Sequence, residues 1–593
     1  MPDAGREEGL VGRLRPVRNI PFEVECRPEF VTPQGSGPQY RHHLRGNMRA
    51  HAASLLLITV LSGTIAAQDK KAPEKKPDLA LTAVGRQHHA IHTNSKEAQQ
   101  YFDQGITLIY GFNHEEAGRA FEQAAKLDPA SPMPLWGVAL AVGPNYNADV
   151  DAEREKIAFD SIQKAQKLAE HAPQVEKDYV ATMAVRYSGD EKPDYKKLAR
   201  DYAQATKALA EKYPDDLDAA TLYAESLMDL SPWRLWSPSG QEGENTEEII
   251  RVLESVLARD PNHAGANHYY IHAVESSPSP QRALPSAKRL EAMVPQAGHL
   301  VHMPAHIYIR TGDLDAAIKC NVRAVKADQK YALEAQQTGS IYDLMYHSHN
   351  EHFIAMAASM AGRYAEARAA ADGLAKRIEP HVQGMLMLDY FIATPIWVDA
   401  RFGKWDTILA RPEPVKLMPT THLFWTYSRT LAFAARGEVD KATAARDAFE
   451  KEAAAAAGGH HGYGLNKLND VLGVALQVVD ARVADARRNS AEAIEHWRKA
   501  AELQDALIYD EPADWYYPVR ESLGAALLAS GDAKAAEQAF RDDLQRNPRN
   551  PRSLFGLMST LKAQQREEDA AWVEGQFKKA WSTADTKLAI KDL

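Results

Sequence analysis

The stretch YFDQGITLIYGFNHEEAGRAFEQAAKLDP, residues 101–129, decides the fold. It reads as an amphipathic helix, a break, and a second helix with Ala117, Phe121 and Ala124 on one face, closed by Pro129. Similar units recur at 306–328 (HIYIRTGDLDAAIKCNVRAVKAD), 352–375 (HFIAMAASMAGRYAEARAAADGLA), 427–449 (YSRTLAFAARGEVDKATAARDAF) and 521–548 (ESLGAALLASGDAKAAEQAFRDDLQRNP). Alanine is abundant and β-branched alternation is scarce, so the expectation is an all-α chain. The 593 residues are 45% hydrophobic and 25% charged with net charge −10, an ordinary composition for a soluble repeat array. No basic stretch or basic/aromatic interleaving marks a nucleic-acid surface, and the acidic balance argues against one.

These units resemble the tetratricopeptide repeat, a 34-residue helix pair with Gly between the helices, a small residue facing it and a terminal Pro. Aligning on Gly312, Gly362, Gly403, Gly437 and Gly531 puts repeat starts near 298, 348, 389, 423 and 517. Ala117, Ala283 and Pro548 add starts near 98, 264 and 551, and a further unit begins near 217. The resemblance implies a right-handed superhelical solenoid over residues 98–593, with insertions near 231–246, 330–346 and 455–463. It also implies a concave groove, lined by the first helix of each pair, that takes a peptide, a protein or a small molecule.

Residues 1–97 stand apart from the array. Residues 1–47 are rich in Pro, Gly and Arg without a sustained apolar period, and read as a non-native or disordered extension. Met48 opens a basic start, an apolar run from Ala52 to Leu61, and small residues at Thr64, Ala66 and Ala67. Residues 48–67 thus have the layout of a signal peptide, which places the mature chain in the periplasm or outside the cell. The apolar run falls short of the roughly 20 residues that span a bilayer, so no membrane span is expected after cleavage. Residues 68–97 read as a linker. Cys26 and Cys320 are the only cysteines, which excludes an internal disulfide in the processed chain and a thiolate-only metal site.

Chemistry concentrates in one window. Of 22 histidines, nine lie between His263 and His352. Within their repeats His268 and His272 take positions 5 and 9, His299, His302 and His306 take 2, 5 and 9, and His349 and His352 take 2 and 5. The resemblance implies that positions 2, 5, 9 and 12 face the groove. A His pair four residues apart on a helix is a two-point chelate for a first-row transition ion, and helices packed about 8–10 Å apart let such pairs converge. The seven are therefore the candidate metal ligands. An all-His or His/carboxylate donor set suits Zn, Cu, Fe or Mn, with Zn or Cu favoured in an exported protein. Glu275 at position 12 and Glu225 on the preceding unit are the candidate acid/base residues. Pro304, between His302 and His306, should bend the helix beneath the cluster.

His263 reads as a cap and His114 as a local structural residue. His88, His89 and His92 reach a metal only if the chain folds back, and His460 and His461 sit in a Gly-rich loop. Trp515, Tyr517 and Arg520, in YDEPADWYYPVRESLG (509–524), are candidate substrate-binding residues. Phosphate-binding glycine loops, the GxSxG elbow and HExxH are missing, which argues against nucleotide binding and standard metalloprotease chemistry. NHYYIHAVE, HLVHMPAHIYIR and YHSHNEHF within an exported array resemble bacterial tetratricopeptide-repeat proteins without assigned activity. Two readings follow: a metal-binding solenoid able to support hydrolytic or oxidative chemistry, and a non-catalytic scaffold for peptides or proteins.

Overall fold

A computed structural model describes residues 87–456 and 462–593. The expected extension, the signal peptide, most of the linker and His460 and His461 lie outside the described residues. The structure is 71% helical. Among the described residues the sole sheet is a two-stranded hairpin pairing Gly462–Tyr463 with Asn466–Lys467. No helix of the described residues is long and apolar enough to cross a membrane.

Among the described residues, twelve helix pairs follow one another from Lys96 to Ala580 in a right-handed solenoid. Nine coincide with the starts read from the sequence. The other three are Met133–Val142 with Ala152–Ala169, Gln174–Ala184 with Tyr195–Lys212, and Leu468–Ala486 with Ser490–Asp505. Turns between paired helices take a left-handed residue, which lets the preceding helix close its last carbonyls. Gly312, Gly362, Gly403, Gly437 and Gly531 supply it with φ between 60° and 92°. Asp313 and Asp532 then cap the second helices, accepting from Ala316 N and Ala535 N.

First helices are buried on nearly every side, whereas second helices bury one stripe. Every residue of Ala264–Val274 is buried; in Thr246–Arg259 only Thr246, Ile249, Ile250, Val252, Leu253 and Val256 are. The first helix Lys96–Tyr110 folds back onto Ala264–Val274, close enough that a Cβ on Gly265 would meet the Tyr110 ring at 2.5 Å. At this level the expected groove is filled rather than open. Farther on, the solenoid returns to its middle: Arg310 Nη1 donates to the Arg546 carbonyl at 3.2 Å, and Arg549 Nε donates to the Thr311 carbonyl at 3.0 Å.

The expected irregular pieces differ in detail. Residues 229–245 form a long loop, closed by a bridge between Trp236 and Glu242. The 330–346 segment is no simple insertion, because helix Leu314–Glu334 runs into it and a π-helical turn, Asp343–His347, ends it. Residues 87–95 are non-helical but lie against the repeats, with Ile91 buried and His89 bonded to Asp218.

Candidate metal centre

Six of the seven candidate histidines converge as two trios, His268/His272/His299 and His302/His306/His349. In each trio, one ligand atom per residue lies within 4.8 Å of the other two. His268, His272, His299, His302 and His306 are at most 4% exposed, and His349 is half-buried. The helix carrying the central three breaks at Met303 into Gly298–His302 and Pro304–Arg310, as the proline demands. The bend sets His302 Nε2 2.8 Å from His306 Nε2, and His349 Nε2 lies 3.1 Å from His302 Nε2. Met303 itself faces the apolar core and stays out of the cluster.

Hydrogen bonds on the far side of the rings fix which nitrogen carries the proton. His268 Nδ1 donates to the Tyr110 carbonyl at 2.6 Å. His302 Nδ1 donates to Asn321 Oδ1 at 2.8 Å, and the Asn321 amide is oriented by donating to the Ala317 carbonyl at 2.8 Å. His272 Nδ1 donates to Glu275 Oε1 at 2.8 Å, and His306 Nδ1 pairs with Glu275 Oε2. A neutral imidazole with a protonated Nδ1 has a bare lone pair at Nε2. The Nε2 lone pairs of His268 and His272 therefore point into their trio, and His302 Nε2 and His306 Nε2 face each other in the second. His268 Nε2, His272 Nε2 and both His299 nitrogens are buried without a hydrogen-bond partner. An unsatisfied buried polar atom costs about 1–3 kcal/mol, so the cluster is an expense that a bound cation would remove.

Protonation is a poor substitute for that cation. Burial, reinforced by neighbouring imidazoles, pushes His268, His299, His302 and His349 well below the ordinary histidine range. Burial works to raise the Glu275 carboxyl, but His306 and His272 outweigh it and hold the group at about 2. Glu275, a candidate acid/base residue from the sequence, thus stands as an anion behind the rings. Ordinary zinc–imidazole bonds of about 2.0–2.1 Å require Nε2 atoms about 3.3–3.4 Å apart in a tetrahedral shell. The His302–His306 and His302–His349 separations need only a small opening to fit, and neutral imidazoles with anchored Nδ1–H groups are the form that metals take.

Aromatic rings wall the centre. Phe112 lies 4.5 Å from His268, 5.7 Å from His272 and 5.3 Å from His299, centroid to centroid. Tyr146, on the loop after Val142, and Trp233, on the 229–245 loop, cover His272 at 5.3 and 5.4 Å. Tyr346 packs on His299 at 5.0 Å, and Phe353 lies beneath His302 and His306 at 4.7 and 5.0 Å.

Other candidates lie elsewhere. His352 packs on Tyr390 and Phe391 and belongs to neither trio. Glu225 stands apart, beside Asp229 and Arg186; burial and the Asp229 charge push its carboxyl well up. Trp515 and Tyr517 are buried among Trp397, Tyr516 and Arg401, and Arg520 is paired with both oxygens of Asp505 at 2.6 Å. These three are packing and pairing residues rather than groove residues. His263 caps its helix, accepting from Ala266 N at 3.1 Å, and His114 is half-buried beside Phe112. The chain does fold back at His89, where Asp218 holds it at 2.9 Å and Asp216 lies close, but Asp218 is already bonded by Gln87, Tyr110 and His263.

One residue of the centre escaped the sequence. Glu511, on the loop before Val519–Ala529, is buried with Oε2 unpartnered and Oε1 accepting from Tyr509 OH at 3.0 Å. Burial raises its carboxyl to about 7, against the opposing pull of His306 and Arg310. Arg310 lies over the Tyr509 ring at 5.5 Å and donates through Nε to the Glu275 carbonyl at 3.0 Å, which links this loop to the histidines. Only its motif, an acid within an aromatic stretch, was visible in the sequence.

Residues 301–331, which carry His302 and His306, match the tetratricopeptide repeat family. Among solved structures the chain is similar to the human IFIT1 dimer with m7Gppp-AAAA, at 12% identity over 82% of this chain and 91% of that one, TM-score 0.30. It is similar to yeast Tom70 at 11% identity over 82% and 93%, TM-score 0.26. It is also similar to the tetratricopeptide-repeat domain of P58(IPK) at 12% identity over 79% and 99%, TM-score 0.22. No curated protein matches the chain. Residues 301–331 thus carry a tetratricopeptide repeat, and among the described residues the same helix pair recurs from Lys96 to Ala580.

Proposed function

We propose that this repeat scaffold binds two transition-metal ions, one at each histidine trio, with Zn or Cu preferred over Fe or Mn. The observation that carries the reading is the approach of His302 Nε2 to His306 Nε2 at 2.8 Å while His302 Nδ1 donates to Asn321 and His306 Nδ1 lies in ion-pair contact with Glu275. Two lone pairs at that distance repel unless a proton or a metal ion lies between them, and a metal ion is the proposed occupant. The all-imidazole donor set favours Zn or Cu. An exported location, proposed from the Met48 segment, would supply those ions.

A hydrolytic or oxidative reaction at the centre is the second reading, favoured by Glu511. Its buried, unpartnered carboxyl oxygen is an acid/base group within the field of His306. A scaffold that receives a peptide, a protein or a small molecule along the remaining concave surface is compatible with both readings and needs no metal.

The test is elemental analysis of the full chain, prepared without a polyhistidine tag, after loading with Zn, Cu, Fe and Mn in turn and dialysis. Two Zn or Cu ions per chain are expected from the two trios. His302→Ala with His306→Ala should remove one, and His114→Ala none. Substoichiometric metal under every loading would leave the scaffold reading alone standing.

A further inference from the structure

Glu275 touches both trios. It follows helix Ala264–Val274 as its C-cap and is 1% exposed. Its backbone is held at both ends, N–H to the Ile271 carbonyl at 2.8 Å and carbonyl from Arg310 Nε at 3.0 Å. Oε1 accepts from His272, a member of one trio, and Oε2 pairs with His306, a member of the other.

We propose that Glu275 is a tautomer lock shared by the two trios: a single carboxylate holds His272 and His306 in their Nδ1–H forms, so that each keeps its Nε2 lone pair turned to its own trio. The metal consequences rest on the reading of the trios as metal sites; the lock itself is a property of the metal-free protein. The argument is one of donors and acceptors. A carboxylate has two acceptor oxygens and satisfies two N–H donors at once. An amide of the same shape has one acceptor and one donor. In Glu275→Gln the oxygen can serve one histidine, while the NH2 group confronts the other. That second imidazole must move its proton to Nε2 to accept, and an Nε2–H cannot ligate a cation. The substitution is therefore expected to disable one trio and spare its neighbour, which neither a general loss of packing nor a uniform loss of charge would do.

The experiment uses the full metal-free chain with 15N-labelled histidine. Long-range 1H–15N correlations assign the tautomers of His272 and His306, whose signals are identified by their loss in His272→Gln and His306→Gln. Both are expected as Nδ1–H in the unsubstituted protein. In Glu275→Gln one of them should convert to Nε2–H, and metal content after loading should fall from two ions to one. An Nε2–H form for either residue in the unsubstituted protein overturns the lock even if the variant does not fold. A folded variant that keeps both Nδ1–H forms overturns it as well. Nδ1–H forms that convert as expected, in a chain that takes up no metal, would uphold the lock and defeat the metal reading instead.

Discussion

The Phe112 ring stacks on the His272 imidazole at 5.7 Å and 18°, and Phe112 holds a φ of 54° to keep it there. Its position is the inter-helix turn where Gly312, Gly362, Gly403, Gly437 and Gly531 stand in other repeats. A left-handed backbone costs a residue with a Cβ about 1–2 kcal/mol, which glycine avoids. The ring also contacts His268 and His299, so local strain is accepted where it covers a trio. Removing a buried phenylalanine ordinarily costs about 3–5 kcal/mol. Phe112→Gly should therefore destabilise less than Phe112→Ala, by about 1 kcal/mol, reversing the usual order within a packed core. Urea unfolding of both variants measures the difference, and an alanine variant equal to or more stable than the glycine variant would refute the account.

Six candidate ligands in two trios predict separable losses if the proposal holds. His268→Ala should remove the ion of its own trio and leave the one at His302, His306 and His349. His352→Ala should leave both, since that ring packs on Tyr390 and Phe391. Metal content per chain checks all of these, and loss of an ion from His352→Ala would redraw the ligand set.

Acid should weaken the metal-free protein over a defined window. Burial lowers His114 and His352 to about 4. In the unfolded chain each titrates near 6.5, so between these values the unfolded state binds more protons. The stabilisation is present above about pH 6.5 and is lost as pH falls toward 4, by up to about 3 kcal/mol per group. The urea midpoint should drop between pH 7 and pH 4.5, and His114→Leu should flatten part of that drop. A midpoint constant across the window would be the contrary result. Bound metal should leave in the same range, because its histidines must be neutral to ligate.

How much of this was legible in the sequence depends on the range of the interaction. Turn glycines and closing prolines are local signals, and the repeats they mark appear where expected. The pair Met133–Val142 with Ala152–Ala169 was missed because a loop of 143–151 replaces the glycine turn, and Leu468–Ala486 with Ser490–Asp505 because Arg488 takes the left-handed position at φ 62°. The histidine trios were visible as spacings of three and four on successive first helices. Their burial was not, because it depends on Tyr110 meeting His268 across 158 residues. Trp515 and Tyr517 were misplaced for the complementary reason: an aromatic stretch looks the same in a groove as in the core between helices.

Glu511 supplies the opposite pH limb. Its carboxyl, raised to about 7 by burial against the pull of His306 and Arg310, faces Tyr509, Arg310, Glu275 and His306. A carboxyl whose folded value exceeds its unfolded value of about 4.5 keeps its proton longer in the native state. Its stabilising contribution is therefore present below about 4.5 and is lost as pH rises through 7. The metal-free protein should lose up to about 3 kcal/mol from this group between pH 5 and pH 8.5. Glu511→Gln cannot ionise and should remove that slope, becoming more stable than the unsubstituted chain above pH 7 while leaving the acid limb intact. Loading the trios should have a similar effect by another route. Dications beside His306 would favour the carboxylate, so the alkaline loss should shrink in the metal-bound protein. Urea midpoints at pH 6 and pH 8.5, with and without metal, measure both effects. An alkaline slope unchanged by Glu511→Gln would place the titrating group elsewhere and remove Glu511 from the centre's acid/base chemistry.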